Sequence, residues 1–304
     1  MEMWTTAQAA HAWNVDPRWV RNLATQGRIL GAVRQGHFWT IPTGTPKPSD
    51  AREYRYVDVP EQLRSEFAHV DALRDEMGRR RPLTQGELER IRNDFVVEYT
   101  YDSNAIEGNT LTLKETALVL EGLTIGEKPL KDHLEAVGHA DAFSYVEQLA
   151  SANEPLTSRV IKDIHYLVLA DRPDDRGSFR NVAVRILGST HRPPEPILVP
   201  ELIDELLQDY ARDRHHPIDR AARFHLNFEA IHPFIDGNGR TGRLLLNLML
   251  MRSGYLPINI KYTDRRRYYD CFEARDDLGD SLPMTQLVLG YTQQRLADWL
   301  AIIS

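Results

Sequence analysis

Cysteine is nearly absent from this sequence of 304 residues, since Cys271 is the only one. A single cysteine cannot form a disulfide within the chain, which excludes a small disulfide-stapled secreted scaffold and fits a reducing compartment. Long apolar runs are lacking too: the longest, Leu244 to Met251, is interrupted by Asn247 and is far too short to span a bilayer. The N-terminus also lacks the basic and apolar segments of a secretory signal. We therefore expect a cytoplasmic protein without a membrane partner.

An excess of positive charge is missing as well. The net charge is −7, so the whole chain gives no argument for binding nucleic acid or membranes. A hydrophobic content of 42% and a charged content of 27% are those of an ordinary globular protein, and the length exceeds one small domain. Residues 43–60 are interpreted as a linker, because residues 43–50 at its start are rich in proline and small polar residues, the only clear linker composition in the chain. This linker predicts a small unit, residues 1–42, before a long unit, residues 61–304.

The stretch His232 to Arg243 carries most of the chemistry in the chain. It reads His-Pro-Phe-Ile-Asp-Gly-Asn-Gly-Arg-Thr-Gly-Arg, and an apolar helix is expected directly after it. The histidine can act as a general base near neutral pH, and Asp236 offers the hard oxygen ligand that Mg²⁺ prefers. Residues 237–239 can adopt positive φ, so their backbone N–H groups can converge on an anion at the start of the helix. The stretch predicts a phosphate-handling site with its own base.

Two arginines in this stretch support that prediction. Arg240 and Arg243 are three residues apart, so on a helix they face the same side and can contact phosphate oxygens. Residues 237–242 also match the dinucleotide-binding pattern G-x-G-x-x-G, which is informative only after a strand. Apolar residues at helical spacing over 219–231 predict a helix there instead, which argues against a dinucleotide fold. A P-loop is excluded because its lysine is missing.

The stretch resembles the signature of the Fic family, H-P-F-x-[DE]-G-N-G-R-x-x-R, at every fixed position. The resemblance implies an enzyme that transfers AMP from ATP to a Ser, Thr or Tyr hydroxyl of a protein, the chain itself included. It implies that His232 deprotonates this hydroxyl and that Asp236 holds Mg²⁺ on the α- and β-phosphates of ATP. The phosphate-binding residues that it implies are Gly237, Asn238, Gly239, Arg240, Thr241, Gly242 and Arg243.

The resemblance implies a mainly α fold, a helical bundle with a β-hairpin flap, and apolar periodicity agrees. The helices predicted from periodicity cover residues 61–79, 84–106, 113–121, 130–149, 157–170, 200–212, 219–231, 239–253, 264–277 and 283–300. Residues 177–196 differ: valine and isoleucine alternate with other residues and prolines follow, which predicts a hairpin. In the Fic family this hairpin pairs with an extended segment of the target. The flap candidates are Val184, Arg185, Ile186, Leu187 and Gly188; a hairpin that only closes the fold is the alternative.

A second motif lies earlier, at residues 103–109, which read Ser-Asn-Ala-Ile-Glu-Gly-Asn. Gly108 suits the left-handed position that ends a helix, so Glu107 is expected at a helix C-terminus. There the helix dipole disfavours a carboxylate by up to about 1 kcal/mol. The stretch resembles the inhibitory motif of Fic proteins, [ST]-x-x-x-E-[GN], with Ser103 and Glu107 at its fixed positions. The resemblance implies that Glu107 pairs with Arg243 and blocks the γ-phosphate; an exposed cap without a role is the alternative.

For the base of the nucleotide, the resemblance points to residues after the signature. Family members often place a tyrosine pair against the adenine, and Tyr268 and Tyr269 resemble that pair; an aromatic face suits stacking. Asp276 stands where the family frequently has an asparagine. A carboxylate there can accept from the adenine amino group but cannot donate. Ordinary packing is the alternative for the two tyrosines.

Residues 1–42 have a character of their own. Helix, turn and second helix are followed by a predicted hairpin turning at 35–36, an order that resembles the small winged helix-turn-helix of the excisionase and MerR type. Residues 1–48 hold five basic and two acidic residues, an excess that favours contact with DNA phosphates. Arg18 and Arg21, on one face of the second helix, are the DNA-binding candidates. A small protein-docking module is the alternative.

Three functional hypotheses follow. Intact His232 and Asp236 favour a protein adenylyltransferase that is autoinhibited by Glu107. The alternative from another class is a DNA-binding transcriptional regulator, or a toxin-like module, whose Fic-like part acts as a sensor. The third is a Fic enzyme with another activity, either removal of AMP or transfer of UMP, phosphocholine or phosphate. Fic proteins often dimerise, so a homodimer is a further partner that the resemblance implies.

Overall fold

The computed structural model describes residues 3–13, 15–25, 29, 31–36, 38–45, 59–80, 83–152, 154–186 and 188–302. The chain forms two compact units, Met1–Tyr56 and Val57–Ser304. Most of the predicted linker, residues 46–58, lies outside the described residues. None of the helices in the described ranges is long and apolar enough to cross a membrane.

The first unit combines two helices with a small antiparallel sheet. Its elements are β1 (Met3–Thr5), α1 (Thr6–Trp13), α2 (Pro17–Thr25), β2 (Val33–Gln35) and β3 (Phe38–Pro42). The strand order is β1-β3-β2, so β3 lies between the other two strands. Strand β1 was not predicted. The core of this unit includes the buried side chains Trp13, Val20, Leu23 and Ile41, which come from both helices and from β3.

The hairpin of this unit turns one residue later than predicted. Gln35 pairs with Phe38 in the ladder between β2 and β3, so Gln35 belongs to the strand rather than to the turn, and Gly36 is the first residue of the turn. Gly36 has φ 60, which a two-residue hairpin loop requires and glycine adopts without strain. Gly27, where the second helix was expected to end, lies outside the described residues.

The second unit is mainly helical, which confirms the predicted fold class at that level. Its helices are α3 (Arg64–Arg79), α4 (Gln85–Ile106), α5 (Leu113–Leu120), α6 (Leu130–Ala152), α7 (Ser158–Val168), α8 (Val199–Arg212), α9 (Pro217–Ile231), α10 (Asn238–Arg252), α11 (Arg265–Leu278) and α12 (Leu282–Ile302). Capping boxes explain two of the starts: the side chains of Thr84 and Thr112 each accept from the N3 backbone N–H, and their own backbone N–H groups donate to the N3 glutamate.

Helix α10 occupies the centre of this unit. It packs against α4, α6, α7 and α9. Its residues Leu244–Leu250 are at most 1% exposed, including the polar Asn247, whose side chain pairs with the backbone of Ile258. A helix that is apolar on all sides is stable only when surrounded, so this sequence fixes α10 in the core. The position of its first turn, and of the residues on that turn, is fixed with it.

The β-hairpin predicted over residues 177–196 is not formed. In the described part of this segment there is no strand; residues 183–186 have no regular secondary structure, and the chain turns where Ser189 N–H donates to the Ile186 carbonyl, with Gly188 at φ 83. The return half is rich in proline, which cannot donate to a ladder. Leu187 lies outside the described residues. The alternation of apolar residues predicted a hairpin, and in the described residues of this segment that prediction is wrong.

Candidate active site

His232 stands at a backbone position that few residues tolerate. It caps the C-terminus of α9 with φ 49 and ψ 60, and among the described residues it is the only non-glycine residue with positive φ. Such a conformation costs about 1–3 kcal/mol and persists only where neighbours hold it. Its N–H donates to Phe228 O at 3.0 Å, and its carbonyl accepts from Arg180 Nε at 2.8 Å. The histidine is therefore turned out of the helix and held there.

The imidazole of His232 is neutral at physiological pH. Its pKa is lowered to about 4, mainly by burial. Arg180 also lowers the pKa, while the Glu229 carbonyl, Glu107 and Asp236 oppose the shift. The nearest carboxyl group belongs to Glu229, whose Oε2 lies 3.9 Å from His232 Nδ1. Burial, with Glu107 close by, raises the pKa of Glu229 to about 8 against the effect of Arg243. The ring is therefore an unprotonated base beside a carboxyl group that is largely protonated at neutral pH.

Asp236 follows on the loop between α9 and α10. Its Oδ1 accepts from Gly237 N at 2.6 Å and lies 3.4 Å from Arg240 Nη2, and its Oδ2 lies 3.4 Å from Arg172 Nη1. Burial raises the pKa of Asp236, but Arg240, the Gly237 amide, Lys131 and Arg172 together lower it. The side chain is 36% exposed, so this carboxylate is ionised and accessible.

Two side chains fix the loop that carries Asp236. Asn238 bridges it, accepting from Phe234 N and donating to Phe234 O, both at 2.9 Å. The ring of His165 stacks on that of Phe234 with centroids 3.6 Å apart, and its two nitrogens bond to Asp236 O and Gly177 N. Because Gly177 N–H is a donor, His165 Nδ1 accepts and Nε2 carries the proton. The loop is held through its backbone from both sides.

The expected run of positive φ angles in residues 237–239 is wrong in part. Only Gly237 is left-handed, with φ 74, whereas Asn238 and Gly239 already belong to α10. The group at this loop that could bind an anion is therefore the N-terminus of α10, where the first N–H groups of a helix and the positive end of its dipole meet. Thr241 and Gly242 lie inside the helix and are buried.

The two arginines of the signature are both 1% exposed, but they have different partners. Arg240 Nη1 lies 3.1 Å from Glu135 Oε1 of α6. Arg243 donates from Nε to Ser103 Oγ at 3.0 Å and from Nη2 to the Ser103 carbonyl at 2.8 Å. Its Nη2 also donates to Glu107 Oε1 at 2.8 Å. The structure thus brings together the two motifs that the sequence separates by more than a hundred residues.

Glu107 reaches over the first turn of α10. It caps α4, followed by Gly108 at φ 95, and its side chain is 33% exposed. A Cβ built on Gly239 would lie 2.2 Å from Glu107 Oε1. Glycine at this position leaves the room in which the carboxylate lies. An anion could therefore reach Gly239 only if the Glu107 carboxylate moved away.

The predicted tyrosine pair is divided by the fold. Tyr268 is 1% exposed, and its hydroxyl bonds to His225 at 2.7 Å and to Arg243 at 3.4 Å. The prediction that Tyr268 stacks on a base is therefore wrong in this structure, because its ring supports Arg243 from within the core. Tyr269 is 41% exposed and donates to the Ile106 carbonyl at 3.2 Å. Asp276 forms an ion pair with Arg275 at 2.7 Å.

Three residues of the site escaped the sequence analysis. Arg180 holds the His232 carbonyl, His165 holds the Asp236 carbonyl, and Glu229 places its carboxyl group beside the imidazole. None belongs to a motif, and the first two lie more than fifty residues before the atoms they contact. A buried polar side chain next to a signature can be recognised only when the fold is known.

Buried neutral histidines make this fold sensitive to acid. Burial lowers the pKa of His225 to about 3, those of His165 and His232 to about 4, and that of His139 well below its usual value. In the unfolded chain these rings titrate near 6.5, so above that pH both states are neutral and no stability is lost. Below about pH 6.5 only the unfolded chain takes up protons, and the free energy of unfolding falls by about 1.4 kcal/mol per pH unit for each ring.

We therefore expect the urea midpoint to be clearly lower at pH 5 than at pH 7, measured by circular dichroism. Replacing exposed His69 by glutamine serves as the control and should leave this difference unchanged. An unfolding free energy that stays constant between the two pH values would contradict the neutral state of these rings.

These features define a class of protein: a helical bundle with a neutral histidine at the end of one helix, a carboxylate on the loop that follows, and two buried arginines near the start of the central helix. The profile of the Fic/DOC family matches residues 155–250. Fic-1 from C. elegans is 31% identical, with a TM-score of 0.69 over 78% of this chain and 71% of that chain. The chain belongs to the Fic/DOC family.

Further relatives agree with this assignment. A Fic-domain-containing signaling protein from Bacteroides thetaiotaomicron is 28% identical, with a TM-score of 0.70 over 76% of this chain and 95% of that chain. The curated relatives of Culex quinquefasciatus and Aedes aegypti, both named protein adenylyltransferase Fic, are each 31% identical over 94% of this chain. The chain spans only 59% and 60% of their respective lengths.

Proposed function

We propose that this protein transfers AMP from ATP to a Ser, Thr or Tyr hydroxyl of a protein. The observation that carries the proposal is the neutral base His232 beside the N-terminus of α10, where Asp236, Arg240 and Arg243 lie within one loop and one helical turn. Phosphoryl-type transfer depends mainly on positioning and on stabilising negative charge, and this arrangement supplies both. The name that the curated relatives carry supports the same activity.

In the proposed reaction the hydroxyl oxygen attacks the α-phosphorus of ATP while His232 accepts its proton. A bond forms between that oxygen and the phosphorus, the bond from the α-phosphorus to the bridging oxygen breaks, and pyrophosphate leaves with the electron pair. A histidine with a pKa of about 4 is free to accept a proton at neutral pH. The N–H groups at the start of α10 and Arg240 bind the phosphate oxygens as their charge grows.

Asp236 is the residue that would hold Mg²⁺. When bound, the ion offsets negative charge on the phosphates. Mg²⁺ usually takes one or two carboxylates together with substrate phosphates and water, and an ionised carboxylate with 36% exposure fits that demand. Across the described ranges no cluster of three or more His, Cys, Asp or Glu could hold a metal by itself. This agrees with a metal site that the nucleotide completes.

We further propose that Glu107 restrains the enzyme. Its carboxylate binds Arg243, the arginine assigned to the γ-phosphate, and fills the space above Gly239. ATP can place its γ-phosphate on Arg243 only after this carboxylate has moved. The same carboxylate is a candidate for positioning a water molecule in removal of AMP. We propose that Tyr269, which is half-exposed, and Asp276 contact the adenine, whereas the buried Tyr268 does not.

The segment over residues 177–196 is the proposed docking site for the target protein. Residues 183–186 have no regular secondary structure, Arg185 among them is exposed, and Val182 beside them is 51% exposed. An extended target segment can add to such a backbone by strand pairing, which presents its hydroxyl without requiring one particular sequence. Ile197, at 85% exposure, offers apolar surface directly after this segment.

Labelled ATP tests the proposed reaction. The full chain and its Glu107→Gly variant are incubated with ATP labelled at the α- or the γ-phosphate, and covalent label on protein is counted after denaturing electrophoresis. We expect label from the α position alone. Label from the γ position alone would identify phosphate transfer and contradict the proposal. Absence of label from both donors, with ATP bound, would favour the sensor hypothesis instead.

For the first unit we propose DNA binding of the winged helix-turn-helix type. Two helices followed by a hairpin support it, and Arg18 and Arg21 are both exposed on α2. We expect duplex DNA to bind with an affinity that falls as salt rises. The slope of log affinity against log salt concentration should become shallower by about one unit for each arginine replaced by alanine. Fluorescence anisotropy at several salt concentrations measures this, with exposed Arg159→Ala as the control. A slope unchanged by the two substitutions would contradict the proposal.

A further inference from the structure

Arg180 is a buried cation that binds carbonyl groups. It is 3% exposed, and no carboxylate of the described residues forms an ion pair with it. Burying a charge without a partner is costly unless hydrogen bonds satisfy it, so the N–H groups of this guanidinium need acceptors. All of its polar side-chain contacts in the described structure are backbone carbonyls.

These carbonyls belong to two different parts of the chain. On the loop of the base, Nε donates to His232 O at 2.8 Å and Nη2 to Ile231 O at 3.4 Å. On the segment 177–196, Nη1 donates to Val182 O at 3.1 Å and Nη2 to Pro194 O at 2.6 Å. The Arg180 backbone N–H adds a bond to Pro233 O at 2.9 Å. One side chain therefore joins both halves of the segment 177–196 to the backbone on either side of the histidine.

The contact with His232 falls on the strained residue. A non-glycine residue at φ 49 stays there only if the surrounding structure fixes its two peptide planes. The bond that His232 N–H donates to Phe228 O fixes the peptide plane before His232, and the bond that Arg180 donates to His232 O fixes the plane after it. The imidazole direction follows from these two planes. Around the ring the charged or titratable groups are Glu229, Glu107, Asp236 and Arg180 itself.

We propose that Arg180 is the positioning residue for His232 and ties the orientation of the base to the segment on which the target docks. The proposal rests on the proposed function, because it assigns the base and the docking segment their roles. The structural effect of Arg180 does not depend on that function. Without the guanidinium fork, the His232 carbonyl loses its donor and the ring loses its fixed direction. A misplacement of about 1 Å in a reacting group lowers rates by about a hundredfold.

Kinetics in the Glu107→Gly background tests the proposal on the full chain. Arg180→Met is expected to lower the maximal rate of α-label incorporation about a hundredfold with KM for ATP unchanged. Arg180→Lys keeps the charge but not the fork, so an intermediate loss of about tenfold is expected. Arg176→Met is the matched control, since Arg176 lies on the same loop but rests on the ring of Tyr166 at 4.1 Å. It should retain the full rate.

The histidine resonances provide a measurement that needs no turnover. With labelled histidine, the His232 ring signal, assigned by its loss in His232→Ala, should shift or broaden in Arg180→Lys and in Arg180→Met. Its pKa should rise in Arg180→Met, because a cation that lowers it has been removed. If Arg180→Met does not fold, the lysine variant decides: an unchanged His232 signal together with a full rate would overturn the proposal. A Glu107→Gly protein that never incorporates label would refute the proposed function, while the resonances would still decide the role of Arg180.

Discussion

Replacement of His232 by alanine is expected to lower the rate of AMP transfer by a factor of about a hundred to ten thousand. A positioned general base contributes a factor of this size, and the structure offers no second base at this place, because the neighbouring Glu229 carboxyl has its pKa raised to about 8 and is largely protonated. The measurement is covalent incorporation of label from the α-phosphate of ATP, by the full chain in the Glu107→Gly background.

Two comparisons make the result specific. Affinity for ATP, measured by calorimetry, should stay the same in His232→Ala, because the phosphate contacts come from α10 rather than from the imidazole. The matched control is His69→Ala, an exposed histidine on α3, which should retain the full rate. Retention of more than about a tenth of the rate in His232→Ala would mean that the proton leaves by another route, and the assignment of the base would be wrong.

Replacement of Glu107 by glycine is expected to raise AMP transfer about ten- to a hundredfold. The carboxylate forms a hydrogen bond to a buried arginine, and bonds to charged groups contribute about 1.5–3 kcal/mol, which is the free energy that ATP otherwise has to displace. Arg243 keeps its bonds to Ser103 after the substitution, so it remains oriented for the γ-phosphate. The variant should therefore gain activity without losing its fold.

The chain offers a closely matched control for this substitution. Glu121 caps the next helix, α5, and is followed by Gly122 at φ 90, just as Glu107 is followed by Gly108 at φ 95. Glu121→Gly makes the same local change at a helix end but touches no arginine of the site, so its rate should equal that of the wild type. Equal labelling by Glu107→Gly and wild type would refute the inhibitory role, whatever the stability of the variant.

Residues close in sequence account for most of what could be predicted before the fold was known. The helices followed from apolar periodicity and capping residues, because these depend on neighbours three or four positions away. Gly108 at the end of α4 was predicted from the same local logic and is left-handed, with φ 95. The pairing of Glu107 with Arg243 came from a resemblance between motifs, and the distance of 2.8 Å agrees with it.

The predictions that failed depended on distant groups. Tyr268 resembled a stacking residue, but whether a ring faces solvent or core depends on what packs against its helix, and here that is His225 and Arg243. The hairpin over 177–196 had the right alternation, yet strands also need a partner, and the carbonyls of Val182 and Pro194 bind the Arg180 guanidinium instead. The left-handed backbone of His232 could not be predicted from its residue type, since residues other than glycine seldom adopt a positive φ.

The sequence by itself determined the chemistry available: one stretch of twelve residues contains a base, a carboxylate, a glycine-rich turn and two arginines, and the local pattern places them at the start of a buried helix. Only the tertiary structure decided how this chemistry is held. Burial lowers the pKa of His232 to about 4, Glu107 reaches Arg243 from a helix far away in the chain, and Arg180 fixes the base through its backbone carbonyl. Burial and long-range hydrogen bonds exist only once distant segments pack together, so no local pattern encodes them.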